Sequence, residues 1–131
     1  MLFAIDFDGT LCENAYPNIG TPKIDVINKV KELQEQGHEF ILWTCRGGQD
    51  LINALQFIDS VGLHFEHINC NPQYRIDMFN GDDCRKIGAD YYIDDKALSI
   101  KDFVNLKINS YENSAKIYDE YSLDEQDWSG K

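Results

Sequence analysis

Basic residues are scarce in this chain. Lys and Arg together number 12 against 23 Asp and Glu, a formal net charge of −11 over 131 residues. That balance excludes the broad basic surface through which proteins hold nucleic-acid phosphates, and leaves room only for a local basic pocket or a bound metal. CxxC pairs are missing as well: Cys12, Cys45, Cys70 and Cys84 stand apart, which reads as four reduced thiols in a soluble cytosolic (cytoplasmic) protein. No apolar run reaches membrane length and none looks like a signal segment, so no membrane association is expected. Internal repeats and low-complexity stretches are also lacking. A chain of this length can still bury roughly two thirds of its unfolded surface, which supports one compact domain without disulfides.

What is present is an alternation of strand and helix signals. Leu2 to Phe7 is a short, nearly continuous apolar run, as expected of a strand covered on both faces. Leu11 to Thr21, with Tyr16, Pro17 and Gly20, reads as a loop or small flap. Thr21 and Pro22 suit the cap and first position of a helix in which Ile24, Ile27, Val30 and Leu33 recur at helical spacing, with Gly37 as its stop. Phe40 to Thr44 is a second strand. Gly47 and Gly48 break it before a helix that aligns Leu51, Leu55 and Ile58 and ends near Gly62. Phe65 to Ile68 is a weaker strand, 69–86 is irregular, and Tyr91 to Asp94 is the last clear strand, followed by a short helix from Leu98. The expected domain is a core over 1–108, with a flap at 11–21, and an acidic segment over 109–131. That segment reads as a helix from Tyr111 to Tyr121 packed on the core, then a frayed end.

Strands separated by helix-length segments predict a three-layer, doubly wound parallel α/β sheet with right-handed crossovers. Asp6 and Asp8, Thr44, and Asp94 with Asp95 then fall at or just past the C-terminal ends of three strands. Open α/β sheets bind ligands at that edge. A carboxylate pair at the end of a buried strand is costly unless a cation or proton compensates it.

In this arrangement the chain resembles the haloacid dehalogenase superfamily, most of whose members are magnesium-dependent phosphatases. Asp6-Phe7-Asp8-Gly9-Thr10 matches the first motif, Thr44 after Ile41-Leu42-Trp43 the second, Lys86 the third, and Asp94-Asp95 after Tyr91-Tyr92-Ile93 the fourth. The resemblance implies a Rossmann-like core and a Mg²⁺ ion held by Asp6, Asp94 and the main-chain carbonyl of Asp8, with Asp95 as a direct or water-mediated partner. It implies that Asp6 attacks phosphorus and becomes an aspartyl-phosphate, while Asp8 protonates the leaving oxygen and later takes a proton from water. Thr44 and the backbone around Cys45 would bind the transferred oxygens, and Lys86 would neutralise their charge. Cys45 departs from the small residue common at its position. Arg46 could orient a substrate anion through its planar fork.

Both places where the family inserts cap domains are short, so no cap is expected and the cleft should be open. An open cleft suits a phosphorylated substrate of any size, including a macromolecule, or a homo-oligomer whose neighbours cover the site. Other readings carry less. A cysteine phosphatase needs an arginine six positions after its cysteine, and no cysteine has one. His64, His67 and Cys70 suggest a metal cluster, but odd spacing on a strand sends the two histidines to opposite faces. Asp8 argues against dehalogenation, which has no leaving alkoxide to protonate. A receiver-like phosphoacceptor module would place its phosphoacceptor on the third strand and an acidic pair after the first, whereas here Asp8-Gly9-Thr10 follows the first strand and the pair Asp94-Asp95 the last. A catalytically inactive binding scaffold would be expected to have lost a catalytic acid, and neither is lost.

Overall fold

The computed structural model describes residues 1–108. The chain divides into two compact units, Met1–Ala97 and Leu98–Lys131. The division falls after Ala97, whereas the sequence placed the core's end at 108. The first unit holds β1 (Leu2–Ile5), α1 (Ile24–Glu35), β2 (Glu39–Leu42), α2 (Gly48–Ser60), β3 (His67–Ile68), α3 (Gln73–Met78) and β4 (Tyr91–Ile93). In the described part of the second unit, α4 (Ile100–Val104) is capped by Ser99, whose Oγ accepts the Asp102 N–H at 3.0 Å. The helix expected over Tyr111 to Tyr121 lies outside the described residues.

The four strands form one parallel sheet in the order β3-β2-β1-β4. Side-chain alternation divides its two faces. Ile5, Phe40 and Leu42 join Ile27 and Val30 of α1 and Ala54 and Ile58 of α2 on one face. Leu2, Ala4 and Ile41 meet Ile87 on the other, with Trp43 and Ala89 packed against them. Both helices lie on the first face because two successive right-handed crossovers in the same direction put them there. The chain then reverses to reach β4, so residues between β3 and β4 cover the second face. Among the described residues neither cap position holds a domain: the flap runs from Leu11 to Thr21, and the 69–90 interval contains only the six-residue α3.

Two boundaries differ from expectation for a stated reason. Helix α1 starts at Ile24, with Lys23 at the cap position but no side-chain capping bond to the helix. Thr21 and Pro22 are instead used at the base of the flap, where the Thr21 carbonyl accepts the Glu13 N–H at 2.8 Å and Pro22 bridges to Cys12. The third strand shrinks to His67–Ile68, since Phe65 turns into the core instead of pairing. Gly37 (φ +91°) and Gly62 (φ +82°) follow the helices they were expected to end, in a backbone region that other residues rarely adopt.

Candidate active site

The order of the strands makes the site. In register, Phe3, Ala4 and Ile5 oppose Tyr91, Tyr92 and Ile93, and the Asp6 N–H continues the ladder to the Ile93 carbonyl at 2.9 Å. One further step places Asp6 beside Asp94, although 88 positions separate them. This is also where the strand order reverses, since the crossover from β1 leads to β2 on one side while the one from β3 returns to β4 on the other, the switch point at which doubly wound sheets bind ligands.

Carboxylate oxygens of Asp6, Asp94 and Asp95 all lie within 4.8 Å of one another. Gly9 makes that approach possible. Its φ is +84°, and a Cβ built there would stand 2.1 Å from the Asp95 Oδ2, so any side chain would push Asp95 away. Asp94 accepts the Lys96 N–H through its Oδ1 at 2.9 Å, which shapes the turn after β4. Burial pushes the Asp6 carboxyl up to about 7, and the Asp94 charge and an Asp95 hydrogen bond and charge add to it against the opposing Phe7 N–H. Three crowded hard oxygen donors, one of them holding its proton to near neutrality, are the donor set a divalent cation such as Mg²⁺ satisfies.

Arg46 differs from its expected role. Its side chain is only 1% exposed, and Nε and Nη2 grip both oxygens of Asp8 at 2.8 and 2.7 Å. Nη1 donates to the carbonyls of Pro17 at 3.0 Å and Asp50 at 3.2 Å, and Nη2 donates also to the Asn18 carbonyl at 2.9 Å. All five N–H groups therefore serve the protein, leaving none in this arrangement to bind a substrate anion. The guanidinium also lies 5.1 Å from the centres of the Phe7 and Tyr16 rings. It ties Asp8 to the flap and to the start of α2, and Asp8 in turn raises the already high pKa of Arg46.

A cavity of about 450 Å³ opens over these groups. It brings together Asp6, Asp8, Cys45, Arg46, Asp94 and Asp95, and adds Asn14 and Tyr16 from the flap and Lys96 from the turn after β4. Thr44 is not among its lining residues. The Thr44 Oγ1 accepts the Arg46 N–H at 3.1 Å. Asn69 clamps its backbone, with Oδ1 accepting the Thr44 N–H and Nδ2 donating to the Thr44 carbonyl, both at 2.8 Å. Lys86 lies elsewhere. It lines a second cavity of about 370 Å³, its Nζ 5.7 Å from the Tyr92 ring centre.

The cluster suggested by His64, His67 and Cys70 does not form; Asp6, Asp94 and Asp95 are the metal-competent group among the described residues. The sequence reading passed over Asn69, Asn14 and Tyr16 and gave the charge-neutralising role to Lys86, not to Lys96. Asn69 had a signal of its own, since it follows β3 as Thr44 follows β2. Tyr16 and Asn14 had only their place in the flap after the acidic motif.

A parallel sheet with a three-carboxylate cluster at its switch point defines the class as a doubly wound α/β domain built around an acidic, cation-ready edge. Residues 3–128 match the haloacid dehalogenase-like hydrolase family, and the chain belongs to it. It is similar to the solved structure of a conserved protein from Bacteroides thetaiotaomicron, with 34% identity over 75% of this chain and 78% of that one, and a TM-score of 0.66. No curated protein matches the chain. Among the described residues no helix is long and apolar enough to cross a membrane.

Proposed function

We propose that the protein is a Mg²⁺-dependent phosphatase acting on a phosphate monoester through an aspartyl-phosphate. The observation that carries this reading is the grouping of Asp6, Asp94 and Asp95 oxygens within 4.8 Å, with a second acid, Asp8, lining the same cavity. Asp6, Asp94 and Asp95 would hold Mg²⁺, together with the Asp8 main-chain carbonyl. Bound there, the ion would screen the repulsion between a carboxylate nucleophile and an anionic ester.

The chain's own residues supply the rest. A carboxylate oxygen of Asp6 forms a bond to phosphorus as the ester oxygen departs; Asp8, which takes up a proton from solvent and frees one oxygen from the Arg46 fork before it acts, gives the ester oxygen that proton. Asp8, now ionised, accepts a proton from the water that attacks phosphorus and releases phosphate from Asp6. Lys96, which lines the cavity, takes the charge-neutralising role that resemblance alone assigned to Lys86. Arg46 acts through Asp8 and the flap rather than on the substrate.

The test is release of an aryl alcohol from a simple aryl phosphate, measured with Mg²⁺ and with chelator for wild type and Asp6→Asn. Metal-dependent turnover that Asp6→Asn abolishes is the expected result. Equal turnover in the variant would overturn the assignment of the nucleophile.

A further inference from the structure

The cavity is larger than a phosphate group needs, at about 450 Å³, which is in the range of sites that enclose whole small ligands. Its flap side is lined by Tyr16 and Asn14. Tyr16 is 58% exposed, so it does not serve as core packing. It is nevertheless held from several sides. The ring centre lies 5.1 Å from the Arg46 guanidinium carbon, the hydroxyl donates to Asp50 Oδ2 at 3.3 Å, and the Tyr16 N–H donates to Asn14 Oδ1 at 3.3 Å. Arg46 also bonds the carbonyls of the next two residues, Pro17 and Asn18. The guanidinium that backs the ring is itself buried and fully bonded, so the platform beneath the ring is fixed.

We propose that Tyr16 is a stacking platform for a flat ring on the leaving group, which makes the substrate a small phosphate monoester of the nucleotide type. The proposal rests on the phosphatase reading and adds the substrate class to it. Arg46 lies over one side of the phenol ring, and the ring, more than half exposed, is part of the lining of the cavity that holds the acids. A neutral planar ring gains from stacking on an aromatic face without needing a specific hydrogen bond. The net charge of −11 opposes a long polyanion at the same place, which favours a single phosphorylated unit over a polynucleotide.

The experiment uses two pairs of substrates, each differing only in the ring. Adenosine 5′-monophosphate is compared with ribose 5-phosphate, and 2-phenylethyl phosphate with ethyl phosphate, so that both members of a pair expel a similar primary alkoxide. Wild type should favour the ring-bearing member by about tenfold or more in kcat/KM, chiefly through KM. Tyr16→Ala should collapse that ratio to about twofold or less, whatever happens to its overall rate, and Tyr16→Phe should keep most of it because the ring survives. Equal values within both pairs, turnover of none of the four while an aryl phosphate is hydrolysed, or an unchanged ratio in Tyr16→Ala would overturn the proposal. Failure of the aryl phosphate as well would overturn the phosphatase reading beneath it.

Discussion

Replacing Arg46 with lysine should injure catalysis in proportion to how much the leaving group needs a proton. The guanidinium meets five acceptors at once: both Asp8 oxygens and the carbonyls of Pro17, Asn18 and Asp50. Lysine offers three donors from one point and cannot reproduce a planar fork. Alanine is a poor choice, since it would leave a largely buried carboxylate and three carbonyls without their donor, a loss on the order of 3–5 kcal/mol for a broken buried pair. In Arg46→Lys the charge survives while the bidentate grip on Asp8 is lost. General acid–base groups are worth roughly 10²–10⁴ in rate when well placed, so a misplaced Asp8 should cost about 10² in kcat/KM for an alkyl phosphate.

A dinitrophenyl phosphate expels a stable anion that needs no proton, and its kcat/KM should fall by no more than about threefold. The ratio kcat/KM is the right readout because it compares free enzyme and substrate with the transition state, here for phosphoryl transfer to Asp6, before the water step. Asp8→Asn should show the same discrimination between the two substrates, and Arg46→Lys added to it should cost little more, because two changes acting through one group are not additive. Equal losses on both substrates would refute the reasoning and leave Arg46 as a brace for the flap.

Two further outcomes follow from the acidic cluster. Gly9→Ala should weaken Mg²⁺ binding in titration calorimetry and cost about 1–3 kcal/mol of stability, since its Cβ would meet Asp95 at 2.1 Å; Gly37→Ala, where φ is +91° with nothing within 4 Å, should cost stability and leave Mg²⁺ binding unchanged. Equal Mg²⁺ affinity in the two variants would refute the role given to Gly9. Without metal, Asp6 keeps a proton in the folded state up to about pH 7 that the unfolded chain releases near the ordinary aspartate value of 3.8, so folded stability should fall as pH rises through that window. Asp6→Asn should flatten this slope in chelator and melt above wild type at pH 8, as measured by thermal unfolding; parallel melting curves of Tm against pH would contradict the raised carboxyl.

The acids were legible because their positions are set locally and their convergence by a general rule. Each follows a short apolar run, and a parallel sheet gathers the ends of such runs on one edge. That alone assigned Asp6, Asp8, Asp94 and Asp95 to the edge; that β1 and β4 are neighbours, with Asp6 next in register to Asp94, came from the observed strand order. Arg46 was legible as a residue of interest and misread as to role, because its acceptors come from three separate places: Asp8, the flap at Pro17 and Asn18, and Asp50. No periodicity or spacing carries that information. Lys86 shows the same limit from the other side. It precedes Asp94 by only eight positions, and Ile87 next to it is buried against Leu2, Ala4 and Ile41 on the sheet's second face, which commits Lys86 to the cavity beside Tyr92. Lys96 follows the acidic pair directly and inherits its edge. A lysine's proximity to a motif in sequence therefore counts for less than which side of the sheet its neighbour must fill.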